Sequence, residues 1–149
     1  GAQAELVYRF GSGPTWGSVG LGYRYVDTDL SPGDPGNRRD GGQGEMMVSL
    51  DGGHVAGPWR ADWYGSYGFQ LDDYDAFASL THTVGASGRV RAGLEVAADG
   101  DSNYSAYHVG PIIGVKIDDK SEVQFSAGYS DGDDRGSDGY VRIGFYRSF

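Results

Sequence analysis

The sequence predicts an all-β chain: an antiparallel up-and-down transmembrane β-barrel, with about nine strands in this chain and roughly 10–12 in the complete barrel. Three observations predict it. Apolar and polar residues alternate with period two in nine segments, most of which reach the roughly 9–11 residues that a tilted strand needs to cross a bilayer. The connections between segments alternate between short and long. Mean hydropathy is −0.47 although 13% of the 149 residues are aromatic, as fits a wall that is apolar outside and polar inside.

The segments are 4–11, 16–27, 43–54, 59–71, 75–85, 89–98, 104–117, 121–130 and 139–149, separated by clusters of Gly, Pro, Asp and Asn. The first carries Arg9 on its polar side. In the second, Val19, Leu21, Tyr23 and Tyr25 oppose Ser18, Gly20, Gly22 and Arg24. The third places Glu45 and Asp51 on its polar face. In the fourth, Trp59, Ala61, Trp63, Gly65, Tyr67 and Phe69 oppose Arg60, Asp62, Tyr64, Ser66, Gly68 and Gln70. The fifth alternates Leu80, His82 and Val84, which turns His82 outward. The sixth and seventh carry Arg91, Glu95 and Lys116 on the polar side. In the eighth, Val123, Phe125, Ala127 and Tyr129 oppose Glu122, Gln124, Ser126, Gly128 and Ser130. In the last, Val141, Ile143, Phe145 and Phe149 oppose Tyr140, Arg142, Gly144, Tyr146 and Ser148. Arg147 falls on the apolar side, where near the bilayer edge its head snorkels toward the headgroups.

A soluble sandwich alternates too, so period alone does not decide. Aromatics gather near strand ends: Trp16 at one end, Tyr23 and Tyr25 at the other, Trp59 and Phe69 likewise. That pattern fits two interfacial girdles. The connections at 11–14, 56–58, 86–88 and 118–120 are short, whereas those at 27–43, 71–74, 98–103 and 131–138 are mostly longer and acidic. Bacterial barrels have tight periplasmic turns and longer extracellular loops. The chain also ends in Phe149, as outer-membrane barrel proteins typically do. The reading is one domain over 1–149 in the outer membrane of a Gram-negative bacterium. Leu21, Tyr23, Trp59, Trp63, Phe125, Ile143, Phe145 and Phe149 face lipid. Arg9, Arg24, Arg60, Asp62, Arg91, Glu95, Lys116, Glu122 and Arg142 line the lumen. Nine strands break the even count of single-chain bacterial barrels. An N-terminal segment or another chain is therefore expected to complete the wall. The start at Gly1-Ala2-Gln3 shows no signal peptide and reads as a mature or trimmed chain.

Several classes are excluded. No run of 18 apolar residues supplies a membrane helix. Without cysteine there is neither a disulfide framework nor a thiolate metal site. A net charge of −9 argues against nucleic acid. The aromatic content argues against disorder, and 27 glycines without a G-X-Y period do not make collagen. Enzyme chemistry is not expected. His54, His82 and His108 match no metal spacing, and no Gly-x-Ser-x-Gly elbow occurs.

No cofactor is expected, with one candidate exception. Asp131, Asp133, Asp134 and Asp138, and after them Asp99, Asp101 and Asn103, offer oxygen ligands for Ca²⁺ or for a cation bridging lipopolysaccharide. They lack the Glu that ends an EF-hand loop, and Asp and Gly also populate plain solvated turns. The lumen charges either line a conduction path or pair with one another. Interleaved signs, with Glu5, Asp62 and Glu95 against Arg9, Arg24, Arg60 and Arg91, favour pairing. Tyr64, Tyr140 and Tyr146 on the lumen face, with Tyr74 and Tyr104 near loops, are candidates for stacking on sugar rings.

Two stretches carry a family resemblance. One is Tyr25-Val26-Asp27-Thr28-Asp29-Leu30-Ser31-Pro32-Gly33-Asp34-Pro35-Gly36-Asn37. The other is Ser126-Ala127-Gly128-Tyr129, then Asp131, Asp133-Asp134-Arg135-Gly136-Ser137, Gly139-Tyr140, Arg142, Gly144 and Phe149. Gly93, Glu95, Tyr104, Gly110 and Gly114 lie between them in matching order. The chain resembles the cellulose biosynthesis protein BcsS family of alphaproteobacterial cellulose-synthesis operons, from about residue 5 onward. The resemblance implies a non-catalytic outer-membrane accessory role in cellulose or exopolysaccharide biosynthesis and secretion. It also implies further strands before Glu5, about three of which would restore an even count. The implied partners are outer-membrane lipid and lipopolysaccharide, cellulose or another exopolysaccharide, and secretion-complex subunits. Two other readings remain: an adhesive or structural surface protein with cation-binding acidic loops, and a general diffusion porin.

Overall fold

The computed structural model describes residues 2–26, 43–133 and 136–147. Among them are nine strands: β1 (Ala2–Ser12), β2 (Thr15–Val26), β3 (Gln43–Ala56), β4 (Trp59–Gly68), β5 (Tyr74–Val84), β6 (Val90–Gly100), β7 (Ser105–Lys116), β8 (Ser121–Gly132) and β9 (Asp138–Arg147). Each pairs antiparallel with the next, giving one sheet in the order β1 to β9. The expected up-and-down meander is present. The sheet is not closed into a barrel, however, because β1 and β9 are its two edges. An odd number of alternating strands leaves the first and last running in the same direction, so these two edges cannot meet as an antiparallel pair.

Local chemistry explains the turns. Ser12 pairs with Thr15 and Ala56 with Trp59, leaving two-residue Gly-Pro loops. Gly13 and Gly57 take φ of 67° and 58°, the positive φ that a type II′ hairpin needs at its first central position. The proline that follows fixes the second position near −65°. The sequence pattern carried the fourth strand to residue 71, but β4 stops at Gly68. There the chain turns through Asp72 at φ 53°, and the Gly68 N–H donates to the Asp73 carbonyl at 2.8 Å.

The two faces of the sheet have inverted polarity. One exposes Leu6, Leu21, Leu80, Leu94 and Ile143, with Leu94 63% and Val141 80% exposed. The other buries Glu45, Glu95, Thr81, Arg91, Ser79 and Ser126. Met47, Leu71 and Ile112 are the buried hydrophobic side chains among the described residues. A water-soluble chain hides apolar groups first, and this one does the reverse.

The sheet also curls and leans. The Arg142 guanidinium of β9 lies 5.3 Å from the centre of the Phe77 ring of β5. On a flat sheet those strands would stand about 19 Å apart at the usual 4.8 Å spacing, so the polar face is strongly concave. The row of paired residues starting beside the first turn at Gly11 and Trp16 continues through Gly53, Asp62, Ser79, Glu95 and Gly110. By Glu95 and Gly110 it stands well away from the turns at 85–89 and 117–120. The offset is roughly one residue per strand, which at normal strand rise and spacing is a tilt of about 35°.

Glycine makes room on the concave wall. A side chain at Gly110 would run into the Ala127 carbonyl and the Tyr140 hydroxyl. Gly110→Val is therefore expected to destabilise the fold by about 1–3 kcal/mol. Urea unfolding in detergent micelles, followed by tryptophan emission, checks it, and an unchanged midpoint would refute the crowding argument.

Candidate functional site

The concave face gathers charged side chains from strands that are not neighbours. At the end with the longer connections, Arg24 of β2 reaches Glu45 of β3 and Asp73 of the β4–β5 turn. Its Nε donates to Glu45 Oε1 at 2.9 Å, and its Nη2 contacts Glu45 and donates to Asp73 Oδ1 at 2.6 Å. Glu45 is fully buried, and its Oε2 accepts the Leu71 N–H at 3.3 Å. Near the short turns, Arg91 of β6 joins four strands. Its Nη2 donates to Glu122 Oε1 of β8 at 2.5 Å, and its Nη1 donates to Thr81 Oγ1 of β5 at 2.9 Å and to Asp62 of β4 at 3.5 Å. Asp62 also accepts from Arg60 at 2.8 Å, and Gln124 donates to Glu122 at 2.7 Å.

Midway, Glu95 of β6 accepts from Arg142 Nη2 at 2.6 Å and from the Tyr140 hydroxyl at 2.9 Å, both on β9. Its Oε2 is buried without a hydrogen-bond partner among the described groups. Farther along β6, Asp99 lies 2.9 Å from His108 Nε2 and accepts the Tyr104 hydroxyl at 2.8 Å. Glu5 meets Ser49, and Ser18 meets Asp51, completing the wall from β1 to β3. Removed from bulk water, such groups persist only when paired.

Of the charged residues singled out in the sequence, Arg24, Arg60, Asp62, Arg91, Glu95, Glu122 and Arg142 enter these ion pairs. By register Arg9 and Lys116 share their face. No ion pair is seen for either among the described residues. Asp73 escaped the sequence reading because an Asp in a turn already has a local explanation. The turn folds it over Gly68, beside Glu45 and within reach of Arg24.

Leu21, Tyr23, Trp59, Trp63, Phe125, Ile143 and Phe145 share the convex face, whereas Phe149 lies outside the described residues. So do the loop at 27–42 and Asp134. Tyr23, Tyr25, Tyr67, Tyr74, Tyr107 and Tyr129 ring the convex face at the end bearing the longer connections. The Tyr67 and Tyr107 hydroxyls donate outward to Asp72 at 3.0 Å and Asp131 at 2.8 Å. Tyr8, Phe10, Trp59, His82 and Phe145 occupy the other end, with the Trp59 and His82 rings edge to face at 4.7 Å.

Trp16 departs from its expected place in a girdle. It stands an odd number of residues from Val19, and its register with Gly53 puts it on the concave face with Ser18 and Asp51. The described acidic residues of the β8–β9 connection each have a local partner. Asp131 serves Tyr107, Asp133 Oδ2 accepts from Ser105 at 2.7 Å, and Asp138 accepts the Gly139 N–H at 2.7 Å. Asp101 closes its own turn on Asn103 and Tyr104. Among the described residues no three acidic or histidine groups are arranged to hold a metal ion. The concave face holds an open cavity of about 740 Å³ lined by Trp16, Asp62, Tyr64, Phe77, Arg142 and Tyr146 among others.

A family model described as cellulose biosynthesis protein BcsS matches residues 1–149. The chain belongs to this family. Membership bears out the resemblance carried by the glycine, tyrosine and aspartate motifs, and it implies a role in cellulose biosynthesis. No curated protein and no solved structure matches the chain.

The Arg91 network generates a prediction. Removing one partner of a buried pair strands the other charge. Arg91→Met is expected to cost about 3 kcal/mol, and Glu122→Gln combined with it less than the sum of the two single changes. A double-mutant cycle by urea titration checks the coupling, and strict additivity would refute it.

Proposed function

We propose that the chain forms the wall of an outer-membrane β-barrel that serves cellulose biosynthesis and secretion without catalysis, by passage, docking or anchoring. The inverted polarity of the sheet carries this reading. A convex face of exposed Leu, Val, Ile and aromatic side chains running across the strands is an extended apolar patch of a kind that monomers in water rarely carry. In a soluble sandwich a second layer would cover it. A bilayer covers it without one, provided every backbone polar group is paired within the wall.

Three further observations support it. The tyrosine-rich ring at one end of the convex face and the Phe, Trp and His ring at the other match two interfacial girdles. The lean of about 35° is the tilt that barrel strands adopt. The curl that brings β9 to β5 suits a narrow barrel whose interior is partly filled by paired side chains, rather than a wide diffusion pore. Antiparallel closure takes an odd number of additional strands, from an N-terminal segment or from another chain. In this reading the short turns are periplasmic and the longer, acidic connections face outward toward lipopolysaccharide. Polysaccharide and secretion subunits are its partners.

The protein should co-fractionate with outer membranes and take up heat-modifiable β-structure in detergent. Deleting its gene should reduce surface cellulose, and unchanged cellulose would count against the secretion role. Planar-bilayer recordings should give little current, since a large steady conductance belongs to an open pore. Leu94→Arg, at mid-strand on the convex face, is expected to cost about 2–4 kcal/mol on folding into liposomes, whereas Leu94→Phe should be nearly neutral. A monodisperse, detergent-free Leu94→Arg protein as stable as its parent would overturn the membrane reading.

A further inference from the structure

The concave wall pairs its charges and clears space with glycine, yet three aromatic side chains remain open to the cavity. Trp16 is 42% exposed, Tyr64 39% and Tyr146 55%. Register places all three on the concave face, on β2, β4 and β9. Tyr140 does not join them, because it covers Gly110 and Gly128 and its hydroxyl is held by Glu95. Aromatics open to a polar interior help neither the ion pairs nor a lipid interface. The curl nonetheless brings them to one cavity.

From these features we infer that the cavity at the short-turn end binds a neutral, β-linked glucan chain in extended form. This rests on the barrel reading above and adds the ligand to it. The aromatics stand at successive levels. Trp16 lies beside the first turn and Tyr146 near the end of β9, while Tyr64 lies deeper, one strand from Phe77. A β-linked glucose ring carries its hydroxyls equatorially, so both faces present C–H groups that pack on aromatic rings. Its edges need hydrogen-bond partners, and Asp51, Asp62, Asp75, Lys116 and Gln124 line the same cavity. At about 740 Å³ the space falls within the about 300–1,000 Å³ of small-ligand sites, enough for a few sugar rings. Acidic and basic side chains nearly balance along its wall, which selects an uncharged polymer over an acidic one.

Trp16 can report on binding once Trp59, on the convex face, and Trp63, which also borders the cavity, are replaced. The protein carrying W59F and W63F, refolded in detergent micelles, is titrated with cellohexaose, maltohexaose and an oligogalacturonate while Trp16 emission is followed. Heat-modifiable migration of the same sample certifies the fold. Saturation-transfer NMR on the parent protein repeats the test should the double variant fold poorly. Cellohexaose should change the emission saturably, with maltohexaose and the oligogalacturonate much weaker. Tyr64→Ala with Tyr146→Ala should weaken cellohexaose binding about tenfold, the loss of aromatic packing expected from two rings. No response from folded protein overturns the site and leaves the barrel standing. Equal binding of the acidic or the α-linked oligomer overturns the ligand class. A native protein extracted from membranes with no β-structure in micelles overturns the barrel and the site together.

Discussion

Arg91 holds the curvature on which the rest of the structure depends. Its guanidinium reaches Asp62 on β4, Thr81 on β5 and Glu122 on β8, and such a reach requires a concave wall. A planar guanidinium with five donors can satisfy several walls at once, as a lysine cannot. Gly114, its cross-strand partner, leaves the space that Arg91 and Glu122 fill. The Arg142–Glu95 pair repeats the device between β9 and β6. The side-chain network and the backbone thus impose the same curl.

A wall bent this way has a polar inside, and in the proposed barrel lipid covers its apolar outside. That order inverts the usual drive to fold. Burial of apolar side chains contributes little here, since few are covered within the chain. The hydrophobic term would come from moving the convex face out of water into lipid. The backbone then has to be self-sufficient, which strand pairing from β1 to β9 largely provides, with a break at Gly110–Pro111 opposite Ala127–Gly128 and at the two edges. Those edges are the weak points of the sheet.

Most of the architecture was legible because period-two alternation is a direct imprint of a wall with two unlike faces. The hairpins were legible because Gly-Pro at 13–14 and 57–58 leaves the backbone few alternatives. What failed to show was contact between non-neighbouring segments, and the face of residues at strand ends. Asp73 looks like an ordinary turn residue until the turn folds it over Gly68 toward Arg24. Trp16 was assigned by its place at a strand end, whereas parity with Ser18 decides its face. In the acidic run after β8, adjacency in sequence does not fix a common face: alternation sends Asp131 to the convex face and Asp138 to the concave one. Closure was not legible at all, since in the proposed barrel it depends on strands outside β1 to β9.

Register bears on that closure. A barrel closes without strain only when strand number, offset and tilt agree. The offset of roughly one residue per strand is the ratio at which the eight-stranded (β/α) barrel closes, with shear equal to strand number. Strands added beyond β1 or β9 at the same offset would therefore meet in register without a change of tilt. Direction adds the second condition. Since β1 and β9 run the same way, the addition must be odd for every joint to remain antiparallel. The tight curl adds the third, because a wall in which β9 already touches β5 has room for few more strands. A small odd complement satisfies all three conditions at once, whereas a second copy of the nine-stranded sheet would double the circumference and pull Arg142 away from Phe77.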